Sequence, residues 1–233
     1  MRVTWMGHGS YRVDTAGQVL LIDPWVDGNP SFPPERTEEA IAGATAILLT
    51  HGHFDHTKDS VDIAKRTGAP VYGMYELINV LAPEGSGVTG TGFNRGGTVM
   101  IGEVAVTLVA ASHSSTIAGA SGPVPTGQEC GFMISAEGKT LYAMGDTDIM
   151  ADWDWMGELH QPDCALVPIG GHFTMDGKRA AWGISKYLPS LSSVVPGHYK
   201  TFPLLAQDAE DLKAGLPGVS VHELDVMGAP AEV

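Results

Sequence analysis

The stretch that most constrains this chain is Thr50-His51-Gly52-His53-Phe54-Asp55-His56, in its first third. Four ligand-type side chains, His51, His53, Asp55 and His56, fall within six residues. Imidazole and carboxylate suit zinc and other borderline divalent ions. The apolar run Ala46-Ile47-Leu48-Leu49 directly before them reads as a short buried strand. Gly52 permits a backbone excursion that a bulkier residue would resist. The ligands therefore sit in a loop at a strand's C-terminal end, where irregular backbone can aim several side chains at one point. A polar loop that is merely rich in histidine is the alternative. Two His at i, i+2 and an adjacent Asp-His pair favour metal binding over it.

The same juxtaposition recurs down the chain. His113 follows the apolar run Val104–Ala111, Asp146 follows Thr140–Ala143, and His198 follows Val194-Val195. With the first four, these make seven ligand-type residues, enough for two metal ions that share one carboxylate. A structural metal usually sits in a closed four-ligand cage, whereas seven ligands leave room for water. An enzyme is therefore favoured over a non-hydrolytic metal-binding module. The run Ala165–Ile169 repeats the theme, ending in Gly170-Gly171-His172-Phe173-Thr174-Met175.

The opening reads as a meander of Arg2–Met6, Ser10–Asp14 and Gln18–Ile22, with turns at Gly7-His8-Gly9 and Thr15-Ala16-Gly17. His8 is either a ligand or site wall, or an ordinary turn histidine. A long loop from Trp25 to Arg36 offers Trp25 and Phe32 as pocket-lining residues or loop anchors. Glu38–Ala42 reads as a helical turn and Val71-Tyr72 as a strand. Helices are predicted over Asp59–Thr67, where Lys65 and Arg66 precede Gly68, and over Met74–Leu81, Gly177–Leu188 and Leu204–Ala214. Pro83–Gly92 reads as a flexible connector and Gly119–Gly127 as a Gly/Pro-rich loop. Further strands are expected at Thr98–Ile101 and Ser220–Leu224, and a hairpin at Cys130–Ser135 with Thr140–Ala143. Each half thus presents strands first and helix–strand units after. That order predicts an α+β fold, two mixed sheets packed together with helices outside, as one domain over residues 1–233.

Composition narrows the partners. A hydrophobic share of 43% supplies a sizeable core, and no run of 18 apolar residues suits a membrane span. The N-terminus has no basic region followed by an apolar block, so no signal peptide is read and a cytoplasmic location is expected. Cys130 and Cys164 each stand beside a predicted strand and read as buried thiols. The formal net charge is −14, and the 13 basic residues are scattered. Nucleic acid and acidic membrane are excluded on that ground. A small-molecule substrate remains, and a homo-oligomer is left open.

The ordered set H-x-H-x-D-H, then His, Asp and His, resembles the signature of the metallo-β-lactamase superfamily. Gly7-His8, Asp23-Pro24, Gly145-Asp146-Thr147, Phe173-Thr174-Met175 and His198-Tyr199-Lys200-Thr201-Phe202-Pro203 resemble its small single-domain metal-dependent hydrolases, related to ascorbate-6-phosphate lactonase. The resemblance runs from end to end of the chain. It implies an αββα sandwich with the metals at one edge. It assigns His51, His53 and His113 to one ion, Asp55, His56 and His198 to the other, and Asp146 to both. Zinc is the first expectation, and manganese, iron or nickel suit the same donors. A shared hydroxide would attack a small ester, lactone, amide or phosphoester, and Asp55 is placed to steer its proton. Asp23 and Asp59 are candidates for orienting ligand imidazoles, or else cap a turn or helix. Thr174, Tyr199, Lys200 and His8 are candidates for the substrate side. The chain departs from the branch pattern at Gly171-His172, where a polar or acidic residue is expected, and His172 becomes a candidate acid or anion contact. A di-iron oxidoreductase of the same fold is the alternative, but that branch carries an acidic residue where His53 stands and an attached flavin domain.

Overall fold

The apolar runs pair into two seven-stranded mixed sheets in the computed structural model, which describes residues 1–233. The first sheet contains β1 (Arg2–Trp5), β2 (Tyr11–Thr15), β3 (Gln18–Ile22), β4 (Ala46–Leu49), β5 (Val71–Met74) and β6 (Gly90–Phe93) in sequence order. The second contains β7 (Thr98–Ile101), β8 (Val104–Ala110), β11 (Cys130–Ala136), β12 (Lys139–Ala143), β13 (Cys164–Pro168), β14 (Ser193–Gly197) and β15 (Ser220–Val221). A small separate hairpin, β9 (Thr116–Gly119) with β10 (Gly122–Pro125), stands between β8 and β11 in the chain. The last strand, β16 (Ala231–Glu232), returns to pair with β1.

Both sheets are built the same way. Antiparallel pairs come first, β1-β2-β3 in one and β7-β8-β11-β12 in the other. Parallel strands follow, β3-β4-β5-β6 and β12-β13-β14-β15. This is the strands-then-units order expected from sequence. Every residue of β4, β13 and β14 is buried, because parallel strands are covered on both faces and so read as continuous apolar runs. By contrast β2 alternates buried with half-buried residues. A cluster of 60 buried residues fills the interior.

The helices are α1 (Thr37–Ile41), α2 (Phe54–Thr57), α3 (Ser60–Thr67), α4 (Tyr75–Leu81), α5 (Trp153–His160), α6 (Gly177–Tyr187) and α7 (Glu210–Gly215). Asp176 caps α6 by accepting from the Arg179 amide at 2.8 Å. The α6 face that turns inward is Ala180, Ala181, Gly183 and Ile184. No helix is long and apolar enough to cross a membrane. Cys130 and Cys164 are buried free thiols.

Several elements differ from the sequence expectation. The connector expected over Pro83–Gly92 gives its last residues to β6. Its Gly90 and Gly92 are glycines because α4 lies against them: a Cβ on Gly92 would stand 2.8 Å from the Tyr75 Cα. The composition therefore imitates a loop. The expected Gly119–Gly127 loop is half of the β9-β10 hairpin, whose register sets Gly119 opposite Gly122. Helix α5 and strand β16 were not foreseen. The helix expected over Leu204–Ala214 starts only at Glu210, and the strand expected over Ser220–Leu224 stops at Val221.

Candidate metal centre

The site is assembled where strands of both sheets end. Strand β4 stops at Leu49, and Asp23, at the end of β3, takes hold of the next residue. Its Oδ1 accepts from the Thr50 amide at 2.8 Å and its Oδ2 from the Thr50 hydroxyl at 2.6 Å. The same Oδ2 lies 2.8 Å from His56 Nδ1. Thr50 Oγ1 also contacts His51 Nδ1 at 3.0 Å. One buried carboxylate thereby fixes two imidazoles. The single turn of α2 folds Asp55 and His56 back over the strand end. From the other sheet, Gly145 has φ 64°, and a Cβ there would lie 2.8 Å from the Thr50 Cβ. That close approach brings Asp146 onto the histidines.

Asp146 is the hub. Its Oδ2 lies 3.1 Å from His198 Nε2, 3.4 Å from His56 Nε2, 3.6 Å from His113 Nε2 and 3.9 Å from His51 Nε2. Asp55 Oδ2 stands 3.6 Å from His56 Nε2 and 3.8 Å from His198 Nε2. Two groups have their ligand atoms within 4.8 Å of one another: His51, His53 and His113, and, beside them, His8, Asp55, His56 and His198. A third, Asp23 with His51 and His56, is equally close. In it the Asp23 oxygens are already occupied by Thr50 and His56 Nδ1.

The donor set fits a cation. His56 Nε2 is buried without a hydrogen-bond partner although its Nδ1 is tied to Asp23. A ligating histidine shows the same pattern, one nitrogen on a carboxylate and the other free for the ion. Electrostatics agree. Burial alone would lower the pKa of His198, yet Asp146 and Asp55 lift it to about 9. Burial also works against charge on His56, and Asp146, Asp55 and Asp23 outweigh it to raise that pKa. Burial would raise Asp146, but His198 and His56 hold it well below the usual carboxylate range. His51, buried beside His56, is pushed down instead. Excess negative charge at the centre thus calls for positive charge there. Backbone strain collects at the same point: three of the eight non-glycine residues with positive φ are His8 (52°), Asp23 (45°) and His198 (54°).

Above the centre opens a cleft of about 800 Å³. His8, His53, Asp55, His113, Asp146 and His198 face it from below, and Phe54, Phe173, Phe202, Leu204 and the β9-β10 hairpin form its sides. His8 is buried, with Nε2 2.8 Å from Asp55 Oδ2 and Nδ1 2.9 Å from Thr201 Oγ1. Burial, partly offset by the Asp55 bond, brings its pKa down to about 4.

The remaining candidates fall elsewhere. The Asp59 carboxylate does not meet a ligand imidazole; Oδ2 accepts from the amides of Val26 and Asp27 at 2.7 and 2.9 Å and so holds the long loop. It makes no helix-capping bond either. Lys200 turns away to pair with Glu223 at 2.6 Å. Tyr199 is fully buried, stacked on Trp5 at 5.2 Å. The Thr174 hydroxyl donates to the Met175 carbonyl at 3.3 Å. His172 is exposed, lies against the Phe173 ring and is absent from the cleft lining, where Phe173 stands in its place. Trp25 and Phe32 are buried loop anchors. The aromatic sides and the hairpin escaped the sequence reading. Phe173 and Phe202 stood beside motif residues, which was their only signal.

Residues 18–199 match the model of the β-lactamase superfamily domain, and the chain belongs to that superfamily. Its nearer kinship is with the UPF0173 metal-dependent hydrolases. It is 57% identical over 227 residues to one from Paracoccus denitrificans, a match spanning 97% of this chain and 98% of that protein. It is 55% identical to another from Cereibacter sphaeroides, over the whole of both chains. A solved metallo hydrolase from the hyperthermophilic archaeon Ignicoccus hospitalis superposes with a TM-score of 0.85 at 31% identity, covering 99% of this chain and 97% of that one.

Proposed function

We propose that this chain holds two divalent cations, zinc first, and hydrolyses a small ester, lactone, amide or phosphoester. His51, His53 and His113 would hold one, Asp55, His56 and His198 the other, and Asp146 both. The observation that carries this reading is the position of Asp146, one oxygen of which lies within 3.9 Å of imidazole nitrogens from both triads. Two such ions supply a water-derived nucleophile near neutral pH and polarise the scissile group. His53, standing in the first triad, supports hydrolysis over the di-iron alternative.

The protein's own groups do the rest. Asp23 fixes the His56 ring through Nδ1, which sets Nε2 toward the centre. A carboxylate oxygen only accepts, so His8 donates to Asp55 through Nε2, and its neutral ring presents Nδ1 to the Thr201 hydroxyl. Asp55 is thereby held on the floor of the cleft, where it can take the proton that water gives up.

Elemental analysis after reconstitution with zinc or manganese tests the reading, followed by ester, lactone, phosphodiester and β-lactam panels. Close to two ions per chain are expected, with turnover lost to a chelator and restored by metal. No bound metal after reconstitution would overturn it.

A further inference from the structure

The sides of the cleft carry chemistry that the ligand set does not use. Of the 16 residues that line it, none is lysine or arginine. The cations on the neighbouring loops are all engaged elsewhere. Lys58, just after the motif, pairs with Asp27 at 2.8 Å, and Lys200 with Glu223 at 2.6 Å. Arg179 pairs with Asp148 at 2.7 Å. Arg95 donates to the carbonyls of Ala111 and Glu129 at 3.3 and 2.6 Å.

In place of cations the cleft has an apolar collar. Phe54, Phe173 and Leu204 leave 63%, 55% and 52% of their surfaces in solvent, an unfavourable exposure for large apolar side chains around one opening. Phe202 stands edge-on to His8 at 5.7 Å, and Trp25 backs both Phe54 and Phe202 at 5.6 and 6.2 Å. Opposite, the hairpin offers uncharged residues, Ala118, Gly119, Gly122 and Pro123, with the Thr116 hydroxyl at its base.

We propose that the substrate is an uncharged molecule whose apolar tail or ring lies in this collar while its scissile group reaches the metal centre. The proposal rests on the hydrolytic reading and names its substrate class. An anionic group remote from the scissile bond, such as a phosphate or carboxylate at the far end of a chain, would have to shed water with no cation in the walls and only the Ser114 and Thr116 hydroxyls to meet it. It would also meet a chain of net charge −14. For an ester, water adds its oxygen to the carbonyl carbon, the bond to the leaving oxygen breaks, and that oxygen takes a proton, giving acid and alcohol.

The zinc-loaded chain tests this with p-nitrophenyl hexanoate against mono-p-nitrophenyl adipate, which share the leaving group and chain length and differ at the tail end. We expect kcat/KM for the hexanoate to be higher by about tenfold or more, and Phe173→Ala to shrink that ratio. Equal or reversed values would overturn the assignment. A second readout needs no turnover: hexanohydroxamate and adipic monohydroxamate bind through the same metal-seeking end, and calorimetry compares their tails. Tighter binding of the hexanoyl compound, again by about tenfold, supports the proposal. Equal binding of both overturns the tail assignment alone. Binding of neither overturns the metal reading and the proposal with it.

Discussion

In the metal centre at and beneath the floor of the cleft His51, His56, Asp146 and His198 are exposed by 3% or less, while on the walls Phe54, Phe173 and Leu204 keep more than half their surface in solvent. The floor is held from behind, each side chain fixed by a strand end and several by a second bond, as Asp23 fixes His56 and Thr50. The walls are Phe54 at the start of α2, the loop residues Phe173, Phe202 and Leu204, and the separate β9-β10 hairpin. A buried, cross-braced charge cluster tolerates little change, because every altered group leaves another unpaired in a low dielectric. The loop-built part of the wall, Phe173, Phe202 and Leu204, can be exchanged with less disturbance of that cluster. Chemistry is therefore fixed by the floor, and substrate choice by the walls.

Asp146→Ala should damage the floor most. We expect turnover to fall by about a thousandfold or more, with metal content dropping below two per chain, since both ions lose a shared ligand. Elemental analysis beside steady-state kinetics checks this. Wild-type metal content would break the contrast between the two regions.

The floor should also respond to pH once metal is stripped. The folded pKa of His198, about 9, lies above its ordinary value of 6.5, so its stabilising contribution is complete below pH 6.5 and is lost as pH rises through 9. His56 shifts in the same direction. Chelated protein should lose about 3 kcal/mol of stability across that window, read by thermal or denaturant unfolding. Metal-loaded protein should not lose it, because the ions replace the protons. A flat profile for the chelated form would contradict the charge balance described at Asp146.

Asp23→Ala and Asp59→Ala separate the two regions again. The first frees the His56 ring and should weaken metal affinity by about 10- to 100-fold, as competition with a chromophoric chelator would show. The second loosens the loop that carries Trp25 and should leave metal affinity near wild type. Equal losses would mean that the loop, too, braces the floor.

Gly52→Ala probes the seam. The Gly52 amide donates to Ser115 Oγ at 3.0 Å at the base of the hairpin, and a Cβ on Gly52 would stand 3.0 Å from the Thr116 carbonyl oxygen. We expect about 1–3 kcal/mol of destabilisation from this overpacking, measured by denaturant unfolding. No change would show that wall and floor are mechanically separate.

How much of this was legible follows the same division. The seven ligand-type residues follow short apolar strands, and both facts are local, so the sequence shows them directly. The two-sheet order is legible because the central parallel strands β4, β13 and β14 are buried apolar runs and helices separate them. The hairpin is not, since Gly119, Gly122, Pro123 and Pro125 read as loop, although Thr116 and Thr126 at its base lie close against Gly52. Strand β6 was missed because Gly90 and Gly92 are set by contact with α4, a tertiary cause. At Gly171-His172 the sequence singles out an imidazole, whose chemistry says nothing of which way the bend faces. The structure gives the cleft to Phe173, while His172 in the same bend is exposed outside its lining.

Anomalous diffraction from crystals of the zinc-loaded chain tests the central claim most directly. Two peaks are expected, one at about 2.0–2.2 Å from nitrogens of His51, His53 and His113 and the other at that distance from Asp55, His56 and His198, with Asp146 ligating both. A single peak, or two peaks with Asp146 bound to neither, would contradict it.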